Sequence, residues 1–177
     1  MSPANLNFTS LAANAVIPSS GNNYVVENLA FAHVLDNSNS LPVDGNPVLA
    51  WSQNSPQTSN QVWTYLTYPS SSGDSVFTLQ ALSTVQSGNS VDVIGGRGGY
   101  LRLDPSTNKV VHGGQPQAWK LVEIAPTIYK ISPFEDIMSN SGKLVATDIN
   151  PTTQSISQNQ LVIQQDVSSL QQLWTFN

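Results

Sequence analysis

The chain has 177 residues, enough for one domain with a sizeable core. Only 10% of them are charged and the net charge is −5, with six Lys and Arg in all, so nucleic acid and anionic membrane surfaces, which need clustered cations, are excluded as partners. The absence of cysteine excludes a disulfide framework, thiolate metal sites and Cys nucleophiles.

Residues 1–20 read as an N-terminal extension. Leu11, Ala12, Ala13, Val16 and Ile17 give it moderate apolar content, but it has neither a basic n-region nor a continuous apolar stretch. It is therefore a poor secretory signal, and cytoplasmic synthesis is expected, with any release by a non-signal route. Without secretion, the acceptor-like Asn7-Phe8-Thr9 is a chance match. The extension either packs on the domain or on a partner subunit, or it frays.

From residue 21 the chain repeats. The first copy, about 21–72, opens on strand-like Tyr24-Val25-Val26, carries Asp36 and closes on Gln61-Val62-Trp63. The second, about 73–125, opens on Phe77-Thr78-Leu79, carries Asp92 and closes on Gln117-Ala118-Trp119. The third, about 126–177, opens on Tyr129-Lys130-Ile131, carries Asp148 and closes on Gln172-Leu173-Trp174. Turn clusters, Pro69 to Gly73 and Ala125-Pro126-Thr127, separate the copies. The tryptophans are 56 and 55 residues apart, and the three aspartates precede them by 27, 27 and 26.

Around each Trp the pattern has period two (Trp63 and Tyr65, Trp119 and Leu121, Trp174 and Phe176), which predicts a strand with one buried face. Each Gln lies on the face of its Trp, where a half-buried amide bonds backbone and holds a turn. Helical signals are nearly absent. The fold class is all-β: about twelve short strands in three units, none of which can bury a core alone. Closure around a pseudo-threefold axis removes exposed edges and predicts a β-trefoil; a three-bladed propeller is the weaker alternative.

The frame Leu35-Asp36, then Gly45-Asn46-Pro47-Val48-Leu49-Ala50-Trp51, then Asn60-Gln61-Val62-Trp63-Thr64-Tyr65 resembles the QxW pattern of ricin-B-like β-trefoil lectins, most of all the small cysteine-free mushroom members. The resemblance implies carbohydrate binding without catalysis. It places a site in the first repeat, where Asp36 accepts sugar hydroxyls, Trp51 stacks on the ring and Asn60 fixes orientation. Leu49 stands where the family often has a Gln. Loop residues from Asn37 to Asp44 are expected to reach a second sugar.

The implied partners are galactose- or N-acetylgalactosamine-type glycans of glycoproteins or glycolipids, met in fungal defence. Avidity would come from several sites or from a homodimer. In the second repeat the family offsets from Asp92 reach Thr107 and Pro116, so Asp92 with His112, after realignment of Val110-Val111-His112, is the weaker candidate. In the third they reach Ile163 and Gln171, which leaves Asp148 a structural role.

The competing reading is a β-trefoil protease inhibitor acting through Leu41-Pro42-Val43-Asp44 or Asn150-Pro151-Thr152. A companion subunit with degenerate sites is a third. Two distant histidines without Asp or Glu at ligand spacing predict no metal site, and nothing calls for a cofactor. The glycine run at 95–99 lacks the ending of a phosphate loop, and the adjacent Glu135 and Asp136 read as solvated.

Overall fold

The computed structural model describes residues 13–69, 75–83, 98–134, 144–149 and 159–177. The first copy supplies β1 (Asn23–Tyr24), β2 (Val26–Asn28), β3 (His33–Asn37), β4 (Val48–Ser52) and β5 (Trp63–Pro69). The second supplies β6 (Ser75–Ala81), β7 (Tyr100–Asp104), β8 (Lys109–Gly113) and β9 (Trp119–Ala125). The third supplies β10 (Ile128–Pro133), β11 (Leu144–Thr147), β12 (Val162–Gln165) and β13 (Trp174–Phe176).

The first and last strands of each copy close a barrel. Antiparallel pairing runs β1–β5, β5–β6, β6–β9, β9–β10, β10–β13 and β13–β2, and β1 and β2 are one strand interrupted at Val25. Val25 instead exchanges backbone hydrogen bonds with Asn177, at 3.0 and 2.9 Å. That interruption makes thirteen strands among the described residues where about twelve were expected. The middle strands form three hairpins, β3–β4, β7–β8 and β11–β12.

The hairpins join into a triangular cap. Ala50 N–H donates to Asn159 C=O at 2.8 Å, and Leu161 N–H donates to Val48 C=O at 2.9 Å. Val110 N–H donates to Leu161 C=O and His112 N–H to Asn46 C=O, both at 2.8 Å. Edge groups of each hairpin are thus satisfied by its neighbours, as buried backbone requires. A six-stranded barrel capped by three hairpins is the β-trefoil.

Trp63, Trp119 and Trp174 are fully buried and do the same work in each lobe. Their indole N–H groups donate to the carbonyls of Leu35, Leu101 and Ala146 at 2.9, 2.9 and 3.0 Å, tying each barrel strand to its own hairpin. Beneath them the rings of Tyr24, Tyr65, Phe77, Tyr129 and Phe176 meet across all three copies, with centroids 5.0–6.3 Å apart. The extension is held from Val16 onward. Val16 N–H donates to Phe176 C=O at 2.8 Å, and Ser20 Oγ accepts from Thr67 N–H at 3.0 Å.

Candidate functional site

The first hairpin carries a surface cavity of about 560 Å³ lined by Asp36, Ser38, Asn39, Ser40, Leu49, Trp51, Asn54 and Asn60. Strand alternation puts Asp36 and Leu49, directly opposed across β3 and β4, on the face that also carries Trp51. The single-turn 3₁₀ helix Ser59–Gln61 brings Asn60 in from the side. Asn60 Nδ2 donates to Asp36 Oδ1 at 2.9 Å, and Gln61 Nε2 donates to Asp36 Oδ2 at 2.8 Å.

Each carboxylate oxygen therefore holds one amide donor and keeps lone-pair capacity toward the cavity. Burial raises the Asp36 pKa above its ordinary value, and the two amide bonds oppose that rise without cancelling it. Trp51, unlike the other three tryptophans, is partly exposed. Acceptor oxygens beside a flat indole can take hydroxyls and a C–H face of one ring.

Leu49 gives this cavity an apolar floor in place of the amide common in the family frame. Asn37 does not reach the cavity. Its side chain is fully buried on the other face of β3, where Oδ1 accepts from Asn46 Nδ2 at 2.7 Å. Asn46 also donates to Ser38 C=O at 2.9 Å. This pair fixes the loop whose Ser38, Asn39 and Ser40 do line the cavity, with Asn39 and Ser40 in the left-handed region at φ 54° and 57°.

The QxW glutamines are structural, and in the first lobe one also serves the site. Gln61 Oε1 accepts from Asn54 N–H at 2.7 Å, Gln117 Oε1 from Leu103 N–H at 2.7 Å, and Gln172 Oε1 from Val167 N–H at 2.9 Å.

The indole bonds define equivalent positions in the other lobes. Asp36 follows the carbonyl bound by Trp63; Arg102 follows the one bound by Trp119, and Thr147 the one bound by Trp174. The even spacing of the aspartates therefore does not place them at equivalent sites. Asp148 is one residue out of register. Asp92 lies outside the described residues, and Arg102 stands where a second-lobe aspartate was expected.

Strand pairing completes the comparison. Trp51 pairs with Val34, the residue before the accepting carbonyl; the matching partners are Gly113 with Tyr100 and Gln164 with Val145. His112 matches core-facing Ala50, is 2% exposed, and its Nδ1 lies 3.1 Å from Val43 C=O, so it cannot offer a ring to a ligand. Burial lowers its pKa. Ile163 likewise faces the core, and the exposed residue at the third-lobe stacking position is Gln164. Asp148 is 1% exposed and meets His33 Nδ1 at 2.8 Å, binding the third lobe to the first.

No protein-family model matches this chain, and no curated protein matches it by sequence. Solved structures do. The Macrolepiota procera ricin B-like lectin, solved with lactose, aligns with a TM-score of 0.62 over 92% of this chain and 99% of that one, at 18% identity. The fold is that of the ricin-B-like lectins. The Rhizoctonia solani agglutinin gives a TM-score of 0.64 over 92% and 98% at 16% identity. ThreeFoil, a designed threefold-symmetric protein, gives 0.64 over 87% and 96% at 15% identity.

Within this trefoil, two cavity or cavity-equivalent positions carry no signal in the aspartate spacing. Asn54 enters the cavity from the loop after β4, with Nδ2 donating to Thr58 Oγ1 at 2.7 Å, and no spacing rule marks it. Arg102 was hidden by the displaced register of the second copy. Its signal was the short β7–β8 hairpin, which puts Trp119 only 18 residues after its carbonyl partner against 28 in the other lobes.

Proposed function

We propose that the protein is a lectin that binds galactose- or N-acetylgalactosamine-type glycans in the first-lobe cavity, without catalysis. One observation carries this reading: the partly exposed indole of Trp51 lines the same cavity as Asp36 and Asn60. The Macrolepiota lectin, solved with lactose, supports the choice of sugar. A defensive role, with the protein made in the cytosol and met by an animal that eats the producer, belongs to the same proposal, as does assembly into a homodimer.

A shallow site of this kind binds weakly; a millimolar constant is about −4.1 kcal/mol. Titration with lactose tests it. Binding should disappear in Asp36→Asn and in Trp51→Ala. Trp51→Ala should keep the melting temperature within a few degrees, and Asp36→Asn, which sets an NH2 group against one of its two amide donors, should lower it while the chain still folds. Unchanged lactose affinity in Asp36→Asn would refute the reading, and unfolding of Trp51→Ala would mark that indole as core.

The inhibitor reading is less well supported. Leu41 and Val43 are exposed, at 46% and 50%. The Val43 carbonyl is already held by Asn46 N–H at 3.1 Å and by His112, so this loop is a closed turn rather than an extended segment free to enter a protease cleft. The other candidate, Asn150-Pro151-Thr152, lies outside the described residues.

A further inference from the structure

The second lobe presents a different chemistry on the equivalent face. Arg102 occupies the place of Asp36, and Gly113 the place of Trp51. A Cβ at Gly113 would collide with Arg102 Cδ and stand 2.9 Å from its Cγ, so the arginine stem lies across the floor that the indole covers in the first lobe. Tyr100, directly opposite Gly113, is partly exposed on the same face. The Arg102 guanidinium has no hydrogen-bond or ion-pair partner among the described residues.

The acidic groups nearby do not neutralise Arg102. Asp104, two residues along on the same face, is occupied by its own turn, accepting from Ser106 Oγ and Thr107 Oγ1 at 2.7 Å each. Asp44, from the first-lobe loop, lies beside Gly114, where its Oδ1 would stand 3.2 Å from an added Cβ. That contact lies on the Cβ side of Gly114, not of Gly113, and Asp44 forms no ion pair with Arg102.

We infer that this face is a second saccharide site, selective for an anionic sugar. Arg102 takes a carboxylate or sulfate in a forked, charge-assisted contact, and Tyr100 meets the ring. The inference rests on the proposed lectin reading only for the choice of face. The ligand chemistry comes from the Arg102 guanidinium, unpaired among the described residues, beside partly exposed Tyr100.

The test uses lactose, 6'-sialyllactose and lactose 3'-sulfate as probes, titrated into the full chain and into Trp51→Ala, Arg102→Gln and the double variant. Trp51→Ala should lose lactose yet retain one or both charged probes, with affinity falling as salt rises. Arg102→Gln should leave lactose binding unchanged within about twofold and weaken the charged probe by about tenfold or more. The double variant should bind none of the three.

Retention of the sialylated probe alone identifies the partner anion as a carboxylate, and of the sulfated probe alone as a sulfate. Failure of Trp51→Ala to bind either charged probe, or equal binding of them by the double variant, would overturn the second site. Failure of the unmodified protein to bind lactose would instead count against the first-lobe site, leaving the charged probes to decide this one.

Discussion

Gln61 Nε2 donates to Asp36 Oδ2 at 2.8 Å, so the glutamine that recurs for the fold also aims the carboxylate of the candidate site. The same amide donates to Ser52 C=O at 3.0 Å and accepts from Asn54 N–H at 2.7 Å. It thereby fixes both ends of the segment between Trp51 and Asn60. Gln61→Ala should cost about 1–3 kcal/mol of stability, because buried partners lose their hydrogen bonds. It should also weaken lactose binding although Gln61 does not line the cavity. Urea unfolding and titration of the same variant check both effects.

Trp51 should report binding by itself. Trp63, Trp119 and Trp174 are fully buried, so a water-soluble quencher reaches Trp51 first. Lactose should shift the emission of the unmodified protein and protect it from iodide. Both effects should vanish in Trp51→Phe. A ligand-induced change that persists in that variant would place the sugar elsewhere.

The pH dependence of binding should follow Asp36. Its pKa is raised by burial, so the ionised form that accepts hydroxyls is lost on acidification at a higher pH than for an exposed aspartate. Affinity for lactose should fall as pH drops through that raised value. Its contribution to stability runs the other way: it is full below the unfolded-state pKa and is lost as pH rises through the raised folded value. Removing the Gln61 bond should raise the pKa further, so the binding midpoint of Gln61→Ala should move to higher pH. An unmoved midpoint would show that another group controls it.

A second carboxylate gives the opposite slope. Lys130 Nζ, 6% exposed at residue level, contacts both Asp166 oxygens at 2.7 Å and Ser168 Oγ at 3.1 Å. Partial burial pushes the Asp166 pKa up, but the bonds from Lys130 and Ser168 and the Lys130 charge outweigh it, and the net shift is downward. The stability this pair supplies is present above the unfolded-state pKa and lost as pH falls through the lowered folded value. Lys130→Met should cost about 2 kcal/mol at neutral pH and flatten the acid limb of the melting curve, as calorimetry between pH 2 and 7 would show.

The fold was legible because its determinants are periodic. Three buried indoles with partners two residues on, and three opening strands, fix the barrel without any long-range information. The grouping of the first-lobe candidate residues was legible for the same reason, since Asp36, Trp51 and Asn60 do line one cavity.

The other lobes misled because spacing along the chain was read as equivalence in space. The second copy gains residues before β7 and loses them before β9, so the count from Trp119 back to Asp92 is preserved by compensating changes. What stands at the site is Arg102, and His112 is one residue away from the outward face and so turns inward. Asn37 failed for the same alternation: next to Asp36 on a strand, it must face the other way.

The third lobe already holds the support that Asp36 receives. Gln172 Nε2 donates to Thr147 Oγ1 at 3.2 Å, the counterpart of the Gln61 bond, and Gln164 and Gln171 occupy the places of Trp51 and Asn60. Because the indole pins hold each hairpin independently of what its rim displays, a rim can be rewritten without disturbing the frame. The three lobes thus act as interchangeable sockets on one chassis, and a third-lobe copy of the candidate first-lobe site is three substitutions away: Thr147→Asp, Gln164→Trp and Gln171→Asn.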